Sequence, residues 1–235
     1  MAMDDYLYAL VEGLPPAWRA PATGIGGAAV TVRRYGDRSL IMAAVDTVPA
    51  ASARTLAAHH EVVASTLDAH AVLPFRYATL AGPLGADAWL AGRRDVIDSS
   101  FALIRGSVEM TVKLLRLDCS VTQHAGAGAG GDHSPDEREL KLVGEHLIAH
   151  AELPHARYRP AGTAGNVAAS VAFLVPRVEV PAFLTRIAPI ASRATGLAVV
   201  PTGPWPAYSF VPPFDRLPLA RAGTTALRSV ERRAG

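Results

Sequence analysis

Histidines at helical spacing come closest to forming a chemical site. His146 and His150 lie four residues apart in a segment with helical periodicity, so both rings can ligate one metal ion. A third ligand would have to come from His155, His133 or Cys119. No glutamate follows His146 as in the zinc-protease motif, and such pairs arise by chance in a chain with eight histidines. We therefore expect no metal site, and a metal-dependent enzyme built on these residues stays an alternative.

The sequence lacks the usual catalytic and phosphate-binding motifs. The single cysteine has no partner histidine in a motif context, and no Gly-x-Ser-x-Gly elbow is present. The glycine run Gly126–Gly131 lacks the Lys-Ser/Thr of a phosphate loop, and the negative charge of Asp132 after it would repel a phosphate. We interpret this run as a flexible linker and expect a protein that is not an enzyme and has no cofactor.

A proline-stiffened segment, Gly203–Phe210, is the feature most suited to binding, and we call it the aromatic ribbon. Pro204 and Pro206 fix φ and lack a backbone donor, which excludes a central strand or a helix interior. The ribbon's three aromatic residues are Trp205, Tyr208 and Phe210. Each ring can bury about 150–250 Å². The ribbon is therefore a plug that closes a domain core, a surface for a partner, or a proline-rich ligand for an SH3-type module.

Three charged residues in strand-like segments form a second candidate set. Arg76 lies in the otherwise apolar stretch Val72–Tyr77, and its planar fork suits a carboxylate. Glu109 and Lys113 lie on the polar face of the most regular alternating segment of the chain. The three residues form either salt bridges between two domains or a polar patch for a partner, and we favour the salt bridges.

Composition limits the possible partners and the compartment. The chain has 235 residues and a net charge of +2, which is too small to indicate nucleic-acid binding. No apolar run approaches the roughly 18 residues of a membrane helix, and Asp4 and Asp5 argue against a signal peptide. We therefore expect a cytoplasmic protein that binds neither nucleic acid nor a lipid membrane. Residues 214–235 carry five arginines against two acids, which indicates a solvated basic tail or an arm for an anionic partner.

Periodicity predicts a small α+β domain over residues 1–84. Its predicted elements are a strand Tyr6–Val11, a hairpin Ala28–Tyr35 and Ser39–Val45, and a helix capped by Ser52. A short strand Val72–Tyr77 follows, and because it contains Pro74 it should lie at a sheet edge or start with a bulge. The predicted buried stripe of the helix comprises Ala53, Leu56, His60, Val63 and Leu67. His59 would then lie on the surface and His60 would be half-buried.

A connecting helix is predicted over residues 85–106, followed by a ferredoxin-like domain over 107–213. Its predicted order is βαββαβ. The first strand has Val108, Met110, Val112 and Leu114 on one face, and the first helix is capped by Ser134. Two strands follow at Ala156–Arg159 and Asn166–Val175, then a helix that begins at Pro181 and is kinked by Pro189, and finally a strand at Leu197–Val200. The predicted flexible loop of this domain covers residues 124–133. The fold class is therefore α+β with two domains.

Four blocks of this sequence resemble the gas vesicle protein GvpF/GvpL family. The ribbon is similar to a family signature that reads Gly-Pro-Trp-Pro-Pro-Tyr-Ser-Phe, with Ala207 replacing one proline. The other blocks are Asp5–Val11, the helix and strand with His59, Val62, Val63 and Val72–Tyr77, and Gly106–Lys113 with Met110 in place of a tryptophan.

The resemblance implies a two-domain α+β accessory or minor structural protein of the gas vesicle. The implied role is chaperone-like: to bind the small hydrophobic shell subunit, limit its aggregation, and support vesicle nucleation and assembly. The implied partners are that shell protein and other gas vesicle accessory proteins, and the implied location is the gas vesicle in the cytoplasm. The alternative is a small-molecule-sensing regulatory protein with paired ferredoxin-like domains.

Overall fold

The computed structural model describes residues 3–117, 136–161, 166–191 and 196–214. Several sequence-based expectations fall outside these ranges: Cys119, the linker at 124–133, His133, and the basic tail from residue 215 onward. None of the helices in the described ranges is long and apolar enough to cross a membrane.

The first half contains a four-stranded antiparallel sheet with the order β2-β3-β1-β4. Its elements are β1 (Asp4–Glu12), β2 (Thr31–Tyr35), β3 (Arg38–Val45), α1 (Ala53–Ala64) and β4 (Ala71–Pro74), with a short 3-10 turn at Ile25–Gly27. The predicted hairpin and the predicted edge position of β4 are both confirmed.

Two helices lead into the second half, which contains another four-stranded antiparallel sheet with the order β6-β7-β5-β8. Its elements are α2 (Gly85–Ala91), α3 (Arg94–Ile104), β5 (Ser107–Arg116), α4 (Glu137–Ala151), β6 (Ala156–Pro160), β7 (Val167–Pro176), a 3-10 turn at Arg177–Glu179, α5 (Val180–Ala191) and β8 (Leu197–Trp205). From β5 onward the elements follow the predicted βαββαβ order. The chain is thus a mixed α+β protein with two antiparallel sheets.

The two sheets repeat one strand order. Numbered from its own first strand, each sheet runs 2-3-1-4, and a helix (α1 or α5) joins its third strand to its fourth. The two halves differ in the connection between their first and second strands. In the second half this connection contains α4, whereas in the first half it is a long loop. Each face of the first sheet therefore has an equivalent face in the second sheet.

Apolar clusters cover three of the four sheet faces. Tyr6 and Tyr8 pack under α1, and the opposite face of the first sheet packs against α2 and α3. In the second sheet, one face packs under α4 and α5. The cluster around α2 and α3 also contains Leu174 and Phe210 of the second half. The core therefore runs across both halves, and their division into two domains stays a prediction.

Local capping sets where the helices begin. Ser52 caps α1, which confirms the prediction, and it forms a capping box with Thr55. At α4, the expected cap at Ser134 is wrong by two residues, because Asp136 accepts the backbone N–H of Glu139 and starts the helix there. The single connecting helix is also wrong: it is broken at Gly92, which ends α2 before α3 begins.

The buried stripe of α1 differs from the expected one. His59 is 1% exposed, and the other buried residues are Val62 and Val63. His60 and Leu56 are exposed instead. The expected positions of His59 and His60 are therefore wrong, because hydrogen-bond partners from distant strands hold the His59 ring inside.

A candidate protein-interaction surface

The aromatic ribbon begins as part of an edge strand. β8 pairs with β5 on one side and runs through Pro201 and Pro204 to Trp205. An edge position tolerates both prolines because the missing N–H groups need not serve two neighbours. The prediction that the ribbon is not a central strand is confirmed.

Gly203 is required where the ribbon crosses β5. Its φ is +126°, a region that side chains rarely adopt, and an added Cβ would lie 2.9 Å from the carbonyl oxygen of Glu109 and from Sδ of Met110. Only glycine allows this close approach of the two strands.

Trp205 points outward from this strand. It is 46% exposed, although it is one of the largest apolar side chains in the chain. Its indole Nε1 lies 3.4 Å from Oγ1 of Thr202, so the ring extends back along the outer edge of the sheet. Pro204, beside it, is also exposed. This end of the ribbon offers an apolar contact to a partner.

The rest of the ribbon turns into the protein. Pro206 and Ala207 are buried, and Phe210 is 5% exposed in the cluster around α2 and α3. Phe214 continues this path, with its ring centroid 5.5 Å from that of Phe75. The expected tail boundary at residue 214 is therefore displaced, because Phe214 is part of the core. The interpretation as a plug that closes a core therefore holds for Phe210. The interpretation as a surface for a partner applies to Trp205.

Glu109 anchors the turn of the ribbon. Its buried carboxylate accepts the backbone N–H and the hydroxyl of Ser209, each at 2.7 Å. Thr111 Oγ1 lies 3.3 Å from the same carboxylate. These donors solvate a charge that would otherwise be costly to bury.

Tyr208 places the ribbon against the first half. Its ring meets that of His60 edge-on, with centroids 5.6 Å apart. Its hydroxyl is buried and has no hydrogen-bond partner among the described residues. Burial raises the pKa of this phenol.

The expected salt bridges among Arg76, Glu109 and Lys113 are not formed. Arg76 and Lys113 are exposed, and neither makes an ion pair with any residue in the described ranges. The physical reason is that hydroxyl and N–H donors from Ser209 and Thr111 already serve the Glu109 carboxylate. Arg76 and Lys113 remain available on the surface.

A buried glutamate that sequence reasoning missed makes the principal ion pairs. Glu12 on β1 is 4% exposed and accepts from Nε of Arg105 at 2.7 Å and from Nε of Arg38 at 3.0 Å. Arg38 also contacts Asp98 at 2.6 Å. The hydrogen bonds from Arg105 and then Arg38 lower the pKa of Glu12, against the effect of burial. This network ties α3 to the first sheet.

His59 is a second buried polar group that was missed. Its Nε2 donates to the carbonyl oxygen of Phe75 at 3.0 Å, so its Nδ1 accepts the hydroxyl hydrogen of Tyr6 at 2.8 Å. Desolvation lowers the pKa of His59 to about 4. The ring is therefore neutral at pH 7 and joins α1 to two strands.

A groove of about 450 Å³ lies between the β2–β3 hairpin and the pair α2–α3. Of its charged lining residues, Asp98 already pairs with Arg38, and Asp87 accepts the hydroxyl of Tyr35. Asp37 and Arg94 also line the groove. Within the described ranges, no three potential metal ligands come together; His150 Nδ1 instead contacts the carbonyl oxygen of His146.

Comparisons with known proteins find a matching family model and solved structures of similar fold. A family model described as gas vesicle synthesis protein GvpL/GvpF matches residues 5–129 and 133–212. The structure is similar to the crystal structure of GvpF from Anabaena sp. PCC7120, with a TM-score of 0.67 and 15% identity, over 89% of this chain and 96% of that one. GvpF from Microcystis aeruginosa gives a TM-score of 0.63 at 16% identity, over 88% and 98%. No curated protein sequence matches the chain.

Proposed function

Because this chain belongs to the GvpL/GvpF family of gas vesicle synthesis proteins, we propose that it binds the small hydrophobic shell subunit during gas vesicle formation. Membership implies a role in forming the vesicle. The proposal adds that the chain limits aggregation of the shell subunit and supports nucleation and assembly of the wall. This role requires binding surfaces and no catalysed reaction.

The observation that carries the proposal is the exposed Trp205 on the free edge of β8. A large aromatic ring that is 46% exposed beside exposed Pro204 is the kind of anchor that protein interfaces use. The rest of the ribbon is held by Glu109 and the core, so Trp205 is presented from a fixed support. Such preorganisation lowers the entropy cost of binding.

The edge itself adds a second means of contact. β8 has an outer side that pairs with no strand of the described structure, and an extended apolar segment of a partner can hydrogen-bond there. Pro201 and Pro204 interrupt the donors along this edge, which limits uncontrolled strand addition. We propose that the shell subunit is covered here before it associates with itself.

Further parts of the proposal concern charge and arrangement. The arginine-rich segment at 216–233 adds attraction to acidic groups on the shell subunit or on other accessory proteins. The second half acts as a ferredoxin-like domain that carries the binding edge, and the first half supports the ribbon. We place the protein at the gas vesicle.

Co-expression with a gas vesicle shell subunit tests the proposal. We expect the shell subunit to co-purify with this chain and its soluble fraction to rise. The W205A variant should lose most of this effect, whereas a matched change at an exposed apolar residue of another surface, L142A, should not. Equal recovery of shell subunit with the native chain, with W205A and with an unrelated protein would refute the proposal.

A further inference from the structure

Equivalent faces of the two sheets are covered differently. In the first sheet, the face opposite α1 carries α2 and α3, whose Phe101 clusters with Leu40 and Leu73. In the second sheet, the face opposite α4 and α5 is covered by the first half only near Ala172 and Leu174. Beyond these residues no described helix lies on it, and we call this area the open face.

Strand register identifies the residues of the open face. Directly paired residues of antiparallel strands project from the same side of a sheet. The pairing places one row across all four strands: Arg159, Ser170, Lys113 and Val200. The adjacent row forms the border of the open face, because the first half covers its Ala172. The other members of this row are Arg157, Thr111 and Thr202.

The opposite side of the same strands confirms this orientation. Val112 and Leu114, which flank Lys113, belong to the cluster under α4 and α5. Tyr158, which separates the two arginines of β6, lies against Gly144 of α4, so close that an added Cβ there would be 2.5 Å from its ring. The arginines therefore project from the open face.

Three cations on the open face, Arg157, Arg159 and Lys113, are exposed and have no acidic partner among the described residues. One of them, Arg157, also lies over the ring of Phe210, 5.7 Å from its centroid. With strands about 4.8 Å apart, the backbones of Arg159 and Lys113 are separated by about 10 Å. The single acidic residue in the four strands is Glu109, whose carboxylate is occupied by Ser209. Residues 214–235 carry five arginines against two acids, so this part of the sequence has a net positive charge, like the open face.

An apolar border lies beside these cations. Trp205 Nε1 is 3.4 Å from Oγ1 of Thr202, which places the indole at the β8 side of the open face. Val200, in the row of Lys113, is half-buried. Tryptophan and arginine, with tyrosine, are the residues most enriched among energetic anchors of interfaces.

We propose that the open face binds an acidic amphipathic helix of another protein. Trp205 and Val200 contact the apolar side of that helix, and Arg157, Arg159 and Lys113 pair with its carboxylates. A helix of roughly 10 Å diameter fits across four strands, and α3 occupies the corresponding face of the first sheet. The inference rests on the proposed function in one respect, that β8 is the side that meets a partner.

Peptide binding to the full chain tests this assignment. The probe is a fluorescein-labelled peptide of about 18 residues with leucines on one helical face and glutamates on the other. Its binding is measured by fluorescence anisotropy. We expect binding that weakens as salt rises from about 50 to about 500 mM. The variant R157E/R159E/K113E should bind at least about tenfold more weakly. The matched control R34E/R54E/R138E reverses three exposed cations elsewhere and should stay within about twofold.

Three outcomes besides a lack of peptide binding would overturn the inference. Equal losses in both triple variants would indicate non-specific attraction. Tighter binding of a polyuridine oligonucleotide, dependent on the same three cations, would assign the face to nucleic acid. A change in the oligomeric state of the free chain in R157E/R159E/K113E would assign it to a second copy.

The shell-subunit experiment separates the two proposals. If the native chain binds the peptide but retains no shell subunit, the proposed function fails and the open-face assignment stands. If it retains the shell subunit through Trp205 but does not bind the peptide, the assignment fails and the proposed function stands.

Discussion

Glu109 and Ser209 are 100 residues apart in sequence and are joined by two hydrogen bonds of 2.7 Å, from the backbone N–H and the hydroxyl of the serine. Replacing Glu109 with glutamine sets an NH₂ group against one of these donors. We expect the free energy of unfolding to fall by about 1–3 kcal/mol in urea titrations. E61Q, at an exposed glutamate of α1, is the matched control and should leave the midpoint unchanged. Equal midpoints for both variants would contradict the anchoring role.

Trp205 and Phe210 should separate binding from stability. Phe210 is 5% exposed, and F210A should lower the free energy of unfolding by about 3–5 kcal/mol because it leaves a cavity. Trp205 is 46% exposed, and W205A should change stability by no more than about 0.5 kcal/mol while reducing recovery of the shell subunit. Thermal melts and pull-downs of the same preparations check both. A W205A protein as unstable as F210A would show that the indole is a core residue.

His59 should make stability depend on pH. Its pKa is lowered to about 4 in the folded chain, below the ordinary value of 6.5, so the unfolded chain binds the proton more strongly. Stability is then complete above pH 6.5 and is lost as the pH falls toward 4, by on the order of 3 kcal/mol. Urea midpoints measured between pH 7 and pH 5 should fall in the native chain and fall less in H59Q. The control H60Q should keep the native slope, and an unchanged slope in H59Q would contradict this assignment.

Glu12 should contribute stability through its arginines. Hydrogen bonds from Arg105 and Arg38 lower the pKa of Glu12, so its contribution is present above the ordinary pKa of a glutamate and is lost as the pH falls below it. E12Q should lower the free energy of unfolding at pH 7 by about 1–2 kcal/mol, since both arginines are partly exposed. D87N keeps an amide oxygen that can accept the hydroxyl of Tyr35 and removes only the charge of the exposed pair with Arg33, so it should have no measurable effect. If the two variants melt alike, the Glu12 network is not stabilising.

Local signals in the sequence were sufficient for most elements. The alternation from Val108 to Leu114 specifies a strand with one buried face, and Ser52 specifies the start of α1. The prolines around Trp205 predict an edge strand because a central strand would need their missing donors. These features depend only on neighbours in the chain.

Long-range pairing could not be predicted in the same way. Apolar spacing on α1 favoured the stripe through His60, but the hydroxyl of Tyr6 and the carbonyl of Phe75 decide that His59 is the buried ring. Likewise, Glu12 accepts a hydrogen bond from Arg105, which lies 93 residues away in the sequence. The open face appears only when register aligns Lys113 with Arg159, and periodicity carries no register between separate strands.

The position of the ribbon at the end of the described structure has a consequence for biosynthesis. Phe214 packs with Phe75 and Trp89, and Tyr208 packs with the first half. The core of the first half is therefore completed by residues that leave the ribosome long after it. Such distant contacts also slow folding, because much of the chain must be ordered before they form. A nascent or truncated chain that ends before the ribbon exposes the apolar residues that Phe210 and Phe214 would cover. Only a chain that extends through Phe214 closes this core, and shorter chains remain substrates for chaperones and proteases.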